Sequence, residues 1–324
     1  MKKFVKILLI ALGSLLALGV VLVALFFVVI ARGMEKQNKE SGFYEKWSAK
    51  DGTKVENVVY GEHERHRLDI YYPADGRKES AGLILFIHGG AWMGGDKADR
   101  DDECHRLTKQ GYVTASMNYH LLGKSSDASI QAMLDDIALA IAKVKSEAYL
   151  QGYNITQVAL SGQSAGAHLA MLFALKSPEK AVVPIRFVAS LVGPADLANV
   201  LGVNTQLLSE EQIAEGNNLM YMLTGDMSES DNNSSERIAD LLADYSPVTF
   251  VNSESVPLLG AYGGKDPLVQ THNYEVLRDA YSRAGVEHKI YLFPESDHSL
   301  YGAPELTAEY YNTFFNFAEK YFGY

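Results

Sequence analysis

The sequence predicts an α/β protein, in which a mostly parallel central sheet is covered by helices on both faces. Three observations carry that reading. Apolar strand-like runs alternate with helical patterns from about residue 55 to the end. One run, Leu83–His88 (LILFIH), has no polar residue before its last position, as a strand buried on both faces requires. At Val158–Met171 (VALSGQSAGAHLAM), a strand pattern turns into a helix pattern within five residues.

The elements follow in order. Val55–Tyr60 and Arg67–Pro73 read as a strand pair, followed by Leu83–His88, Val113–Tyr119, Gln157–Leu160, Phe187–Val192, Pro257–Tyr262 and Lys289–Phe293. Helical spacing marks Ile130–Leu150, Ala165–Leu175, Asn273–Ala284 and Pro304–Tyr321. Residues 196–250 interrupt this alternation with ten acidic residues and the single basic residue Arg237. Leu207–Leu223 has helical spacing, whereas the stretch GDMSESDNNSSE is loop-like.

The N-terminus is a separate matter. Ile7–Ile30 holds 24 residues without a charge, which as a helix would extend about 36 Å. That length crosses a hydrocarbon core of about 30 Å with some tilt. It exceeds the apolar stretch of a cleavable signal, and Ala31-Arg32-Gly33-Met34 offers no small-x-small cleavage site. Residues 1–32 are therefore expected to be an uncleaved membrane anchor. Residues 33–54 are expected to be a polar tether, and 55–324 the globular domain. Lys2, Lys3 and Lys6 precede the span, which favours a cytoplasmic N-terminus and a domain on the far side.

Charge narrows the partners. The chain of 324 residues carries a net charge of −11. Residues 1–36 hold five basic residues against one acidic, so nearly all the negative charge lies beyond them. A domain with this balance and no basic stripe is not built to neutralise phosphates, which argues against nucleic acid. The single cysteine, Cys104, cannot form an internal disulfide and reads as a helix residue. No Cys/His spacing suggests a metal site.

Chemistry is concentrated beyond the carboxyl ends of the strands, where open α/β sheets bind ligands. Gly162-Gln163-Ser164-Ala165-Gly166 has the Gly-x-Ser-x-Gly form of a nucleophile elbow. Side chains at Gly162 and Gly166 would crowd the adjoining strand and helix, and Ser164 would stand at a helix N-terminus that favours a developing anion. A serine hydroxyl needs a base, and His298 after the last strand is the candidate. Asp266, after the preceding strand, is the candidate acid, giving the order Ser…Asp…His. Asp297 and Glu295 are rivals, although an immediate chain neighbour reaches the inner ring nitrogen of His298 with difficulty. The amide of Ala165 and those of Gly90 and Ala91 in the loop His88-Gly89-Gly90-Ala91-Trp92 are the candidate oxyanion donors.

Together, RLDIYYP, LILFIHGGAW, SMNYHL, VALSGQSAGAHLAM, GGKDPLV and FPESDH resemble the carboxylesterase/lipase group of α/β-hydrolases that includes hormone-sensitive-lipase-like esterases. The resemblance covers about Val55 to Tyr324. It implies the α/β-hydrolase fold, with a cap at the 196–250 insertion. It also implies hydrolysis of small-molecule carboxylic esters through an acyl-enzyme, without a cofactor. His88-Gly89-Gly90-Ala91-Trp92 departs from His-Gly-Gly-Gly and is closer to the His-Gly-Gly-x-Trp form of kynurenine-formamidase-like and polysaccharide-esterase relatives. His120 stands where Asn-Tyr-Arg-Leu has arginine, so an arginine contact is expected to be missing. Ser299 follows the histidine where glycine is frequent. The insertion's carboxylates would either repel anionic acyl groups or form a solvated face. Leu219, Met220, Tyr221, Met222 and Leu223 would line an acyl pocket or pack the cap. An amidase, peptidase or formamidase, and an inactive membrane-tethered binding protein, are the alternatives in function.

Overall fold

The structure is a computed structural model, and it describes residues 47–76, 78–124, 127–201, 222–225 and 234–323. Eight strands form one sheet in the order β1-β2-β4-β3-β5-β6-β7-β8. They are β1 (Gly52–Val59), β2 (Arg67–Pro73), β3 (Ala81–Ile87), β4 (Val113–Met117), β5 (Ile155–Gln163), β6 (Ile185–Leu191), β7 (Leu258–Gly263) and β8 (His288–Phe293). β2 runs antiparallel to both of its neighbours, and β3 to β8 are mutually parallel. The mostly parallel sheet expected from the apolar runs is the sheet observed.

Register positions the site. Ile87 pairs with Gly162, Gly162 with Ser190, Leu191 with Ala261, and Gly263 with Phe293. The parallel strands therefore finish side by side, and the loops that follow β3, β5, β7 and β8 emerge along one edge. β3 lies in the middle with every residue buried, because both sheet faces are covered. Leu83, Leu85 and Ile87 join one core cluster, and Ile84 and Phe86 join the other, following the two-residue period of a strand.

The helices covering these faces are α1 (Asp101–Thr108), α2 (Ile130–Leu150), α3 (Ala165–Lys176), α4 (Ser235–Asp244), α5 (Thr271–Ala284) and α6 (Pro304–Phe322). Met133, Leu134, Ile137, Ile141 and Val144 of α2 pack into the first cluster with Leu169 and Leu172 of α3 and Leu277 of α5. Cys104 and Leu107 of α1 pack into the second with Tyr310, Phe314 and Phe317 of α6. Burying one such large apolar side chain contributes about 1.5–3 kcal/mol. Ser129 caps α2 by accepting a hydrogen bond from the amide of Ala132.

Two expectations need revision. The tether was expected to run to residue 54, yet β1 starts at Gly52 and pairs with Pro73. Trp47 already stacks on His105, with ring centroids 5.0 Å apart. β1 is an edge strand with half of its residues exposed, so its composition reads as linker. The second is α1, which has no apolar periodicity to reveal it. Its Glu103 and Arg106 are buried, and Arg100 pairs with Glu103 at 3.0 Å.

The expected membrane segment Ile7–Ile30 lies outside the described residues. Among the described residues no helix is long and apolar enough to cross a membrane. Much of the insertion, with Leu219, Met220 and Tyr221, also lies outside them. Its described parts include the short helix Leu197–Val200 and α4. Leu223 is fully buried in the first cluster, so it packs the core. Of the four described carboxylates there, Asp196 meets His272 at 3.0 Å and Asp244 meets Lys176 at 2.6 Å.

Candidate active site

Ser164 links β5 to α3 with φ 52° and ψ −122°, a conformation that costs a non-glycine residue on the order of 1–3 kcal/mol. The surrounding packing holds it there. A Cβ on Gly162 would lie 2.4 Å from the backbone of Gly166, and one on Gly166 would lie 2.2 Å from the carbonyl oxygen of Ile87. The two glycines thus let strand, turn and helix close on one another. The amide of Ser164 donates to Leu191 O at 2.8 Å. Ala91, Trp92, Val192 and Leu300 also have positive φ, each in a loop beyond the carboxyl end of a strand. Strain of this kind is concentrated along the edge where Ser164 sits.

His298 and Asp266 come to that edge by another close approach. Gly263 and Gly264 lie against the backbone of Asp297, Ser296 and Pro294, so that a Cβ on either would fall 2.3–2.4 Å from a carbonyl oxygen. The loops after β7 and β8 can therefore lie together, joined by Lys265 N–H donating to Ser296 O at 2.9 Å. His298 Nδ1 is 2.6 Å from Asp266 Oδ2, and His298 Nε2 is 2.9 Å from Ser164 Oγ. The second carboxylate oxygen of Asp266 accepts from the amides of Leu268 and Val269 at 2.8 and 2.9 Å. Asp266 and His298 are buried. The carboxylate can only accept from Nδ1–H, which leaves Nε2 free to take the hydroxyl proton of Ser164.

The rival acids are placed elsewhere. Asp297 is exposed and accepts from the amide and hydroxyl of Ser299. Glu295 pairs with Lys265 at the surface.

The loop after β3 lies against Ser164. A Cβ on Gly89 would be 3.4 Å from that of Ser164 and 3.0 Å from Gln163 O. Among the described residues, no acceptor pairs with the amides of Gly90, Ala91 or Ala165. His88 is fully buried beneath this loop, stacked on Tyr119 with centroids 4.3 Å apart. Its Nδ1 lies 2.7 Å from Gly89 O. Burial lowers its pKa to about 4, so the ring is neutral. The arrangement offers an activated hydroxyl, a base with its orienting acid, and three amides facing the same edge.

Two features were not legible in the sequence. Arg65, in the turn between β1 and β2, donates from Nε to Tyr119 O at 2.9 Å and from Nη2 to Gly95 O at 3.0 Å. The expected loss of an arginine contact at position 120 is thus offset by a guanidinium from another loop, on the neighbouring residue. The second feature surrounds Asp136 of α2. Its carboxylate accepts from His66 Nε2, His120 Nδ1 and the His120 amide, each at 2.8 Å. Burial opposes ionisation of Asp136, but the bonds from His120 and His66 outweigh it and hold the carboxyl below its usual range. The same bond raises the pKa of His120.

His63, His66 and His120 present ring nitrogens within 4.8 Å of one another. Both nitrogens of His66 are engaged, Nε2 by Asp136 and Nδ1 by the His63 amide at 3.2 Å. The cluster is accordingly a hydrogen-bonded hub around Asp136, and it lacks three free imidazoles for one ion. The spacing His63-x-x-His66 is its only trace in the sequence.

A sheet of this topology with a Ser–His–Asp line beyond its carboxyl edge defines an α/β-hydrolase. The sequence pattern of the BD-FAE family matches residues 68–281, and the chain belongs to that family, among the α/β-hydrolase carboxylesterases. A probable isoprenylcysteine alpha-carbonyl methylesterase of Oryza sativa subsp. japonica is 34% identical over 126 residues, covering 39% of this chain and 30% of that protein. Esterase LipQ of Mycobacterium tuberculosis is 27% identical over 260 residues, covering 75% of this chain and 56% of LipQ. The chain thus spans less than two thirds of the length of these curated relatives. A truncated carbohydrate esterase from gut microbiota shares the fold, with a TM-score of 0.66 and 21% identity, over 85% of this chain and 99% of that one.

Proposed function

We propose that the protein is a serine hydrolase that cleaves carboxylic esters of small or medium acyl groups through an acyl-enzyme intermediate. The observation that carries this reading is the unbroken line from Asp266 through His298 to Ser164, with contacts of 2.6 and 2.9 Å. In the first half-reaction His298 Nε2 takes the Ser164 proton as Oγ bonds to the ester carbonyl carbon. Asp266 stabilises the imidazolium that results. The amides of Gly90, Ala91 and Ala165 donate to the oxyanion, and the imidazolium then protonates the departing alcohol. Water, deprotonated by the same imidazole, releases the acyl group and restores Ser164.

The relatives support ester cleavage as the class. Acetyl groups on glycans fit the small acyl size, and anchoring through Ile7–Ile30 would hold the domain on the extracytoplasmic side of a membrane. Because the same three residues can cleave amides, a formamidase or amidase is the second reading. The His88-Gly89-Gly90-Ala91-Trp92 loop, similar to that of kynurenine-formamidase-like proteins, favours it.

The test is labelling of the full chain with a fluorophosphonate, alongside hydrolysis of p-nitrophenyl esters of rising chain length, acetylated sugars and formamides. Wild type should label at one site, and Ser164→Ala should lose both labelling and hydrolysis, the latter by about 10⁴-fold or more. Equal labelling of a folded Ser164→Ala protein would end this reading.

A further inference from the structure

Arg65 has more contacts with the loop after β3 than a surface arginine needs. It is half-buried, and among the described residues it pairs with no carboxylate. Its guanidinium is instead spent on two carbonyls and on His88, whose Nε2 lies 3.2 Å from Arg65 Nη2. A guanidinium only donates, so His88 Nε2 must accept and Nδ1 must carry the ring proton. That is the tautomer in which Nδ1–H donates to Gly89 O, at 2.7 Å. Gly95 covers this bond closely, since a Cβ there would lie 2.3 Å from both Gly89 O and His88 Nδ1.

The consequence passes through one rigid unit. The described peptide bonds are all trans, and in a planar trans peptide the C=O and the following N–H point in opposite directions. Holding Gly89 O against His88 therefore turns the Gly90 N–H away from His88, to the open side of the loop. Gly90 has φ 117° and Ala91 φ 51°, so this loop is strained and would relax if its support were lost.

We propose that Arg65 is a positioning residue for the oxyanion hole: through His88 and the Gly89–Gly90 peptide it holds the Gly90 amide toward the oxygen that becomes charged. The proposal rests on the serine-hydrolase reading. It adds that the loop between β1 and β2, remote in sequence from the reacting groups, sets the electrostatics of the acylation step.

The experiment compares wild type, Arg65→Ala, His88→Asn and the double variant, each as the full chain in detergent. Active sites are titrated with a fluorophosphonate, and affinity is measured for a trifluoromethyl ketone that forms a tetrahedral adduct. Arg65→Ala should lower kcat per titrated site roughly 10- to 100-fold, short of the 10²–10³-fold cost of deleting an oxyanion donor. KM should stay within about twofold, and affinity for the ketone should fall in step with kcat/KM. Low concentrations of guanidinium should restore part of the rate. Adding Arg65→Ala to His88→Asn should cost little more, because both act through one peptide.

Three results would overturn the proposal: unchanged kcat per site in Arg65→Ala, full additivity with His88→Asn, or a loss that only follows the number of titratable sites. Should Arg65→Ala fail to fold, Arg65→Lys carries the same test, since an ammonium cannot span the three acceptors. Loss of labelling in wild type, or its persistence in Ser164→Ala, would instead strike the underlying reading.

Discussion

His298 meets Ser164 across 134 positions of chain, with Nε2 2.9 Å from Oγ, and it does so from a loop braced on Asp266. The contact holds because both side chains are buried and the carboxylate has no freedom to turn. One of its oxygens faces the imidazole and the other is held by two amides. A hydroxyl that keeps its base at hydrogen-bond distance before substrate arrives needs little reorganisation to react.

Replacing the acid tests which carboxylate orients the imidazole. Asp266→Asn should leave the protein folded and lower kcat by about 10⁴-fold, because the amide favours the wrong histidine tautomer. Asp297→Asn should change kcat less than about threefold, since Asp297 serves only Ser299. Comparable losses in the two variants would reassign the acid.

The glycines of the elbow are predicted to matter for folding before they matter for chemistry. Gly166→Ala puts a methyl 2.2 Å from Ile87 O, where backbone must move. It should lower stability by about 4 kcal/mol or more in urea unfolding. Gly285→Ala, at the end of α5 with φ 69° and open space around it, should cost only about 1 kcal/mol. A Gly166→Ala protein as stable as wild type would show that the turn is looser than its packing indicates.

Stability should fall on mild acidification. His88 and His168 are both pushed down to about 4 by burial. The unfolded chain, with histidines near 6.5, then binds protons that the folded chain refuses. Their contribution is complete above about pH 6.5, is lost as pH falls toward 4, and amounts to about 3 kcal/mol each. His120 acts in the opposite sense: its raised pKa stabilises fully below about 6.5, and that part is lost as pH rises through the folded value. Asp136, held low, contributes above about pH 4 and is lost only below that. Melting temperature should therefore drop between pH 7 and pH 5, and His168→Gln should flatten the drop. A flat wild-type profile over this range would contradict the burial of both rings.

Legibility in the sequence followed the range of the interaction concerned. α2 begins and ends where its helical spacing does, at Ile130 and Leu150, and β2 likewise runs Arg67–Pro73. Each is set by periodicity and by breakers within a few residues. β1 and α1 were missed or misplaced, because an edge strand and a helix with buried Glu103 and Arg106 violate the apolar pattern. At the site, Gly162, Ser164 and Gly166 could be read directly, since a tight strand-to-helix turn forbids Cβ atoms at fixed offsets from the serine.

The sequence alone thus settled the fold class, the strand and helix carriers of the site, and the position of the hydroxyl, all of which depend on neighbours along the chain. Tertiary structure decided which of Asp266, Asp297 and Glu295 faces His298. It also decided that Arg65 braces His88 and that Asp136 gathers His66 and His120. Those partners lie tens of residues apart, and a hydrogen bond of under 3 Å between them depends on how whole loops pack, which no local pattern encodes.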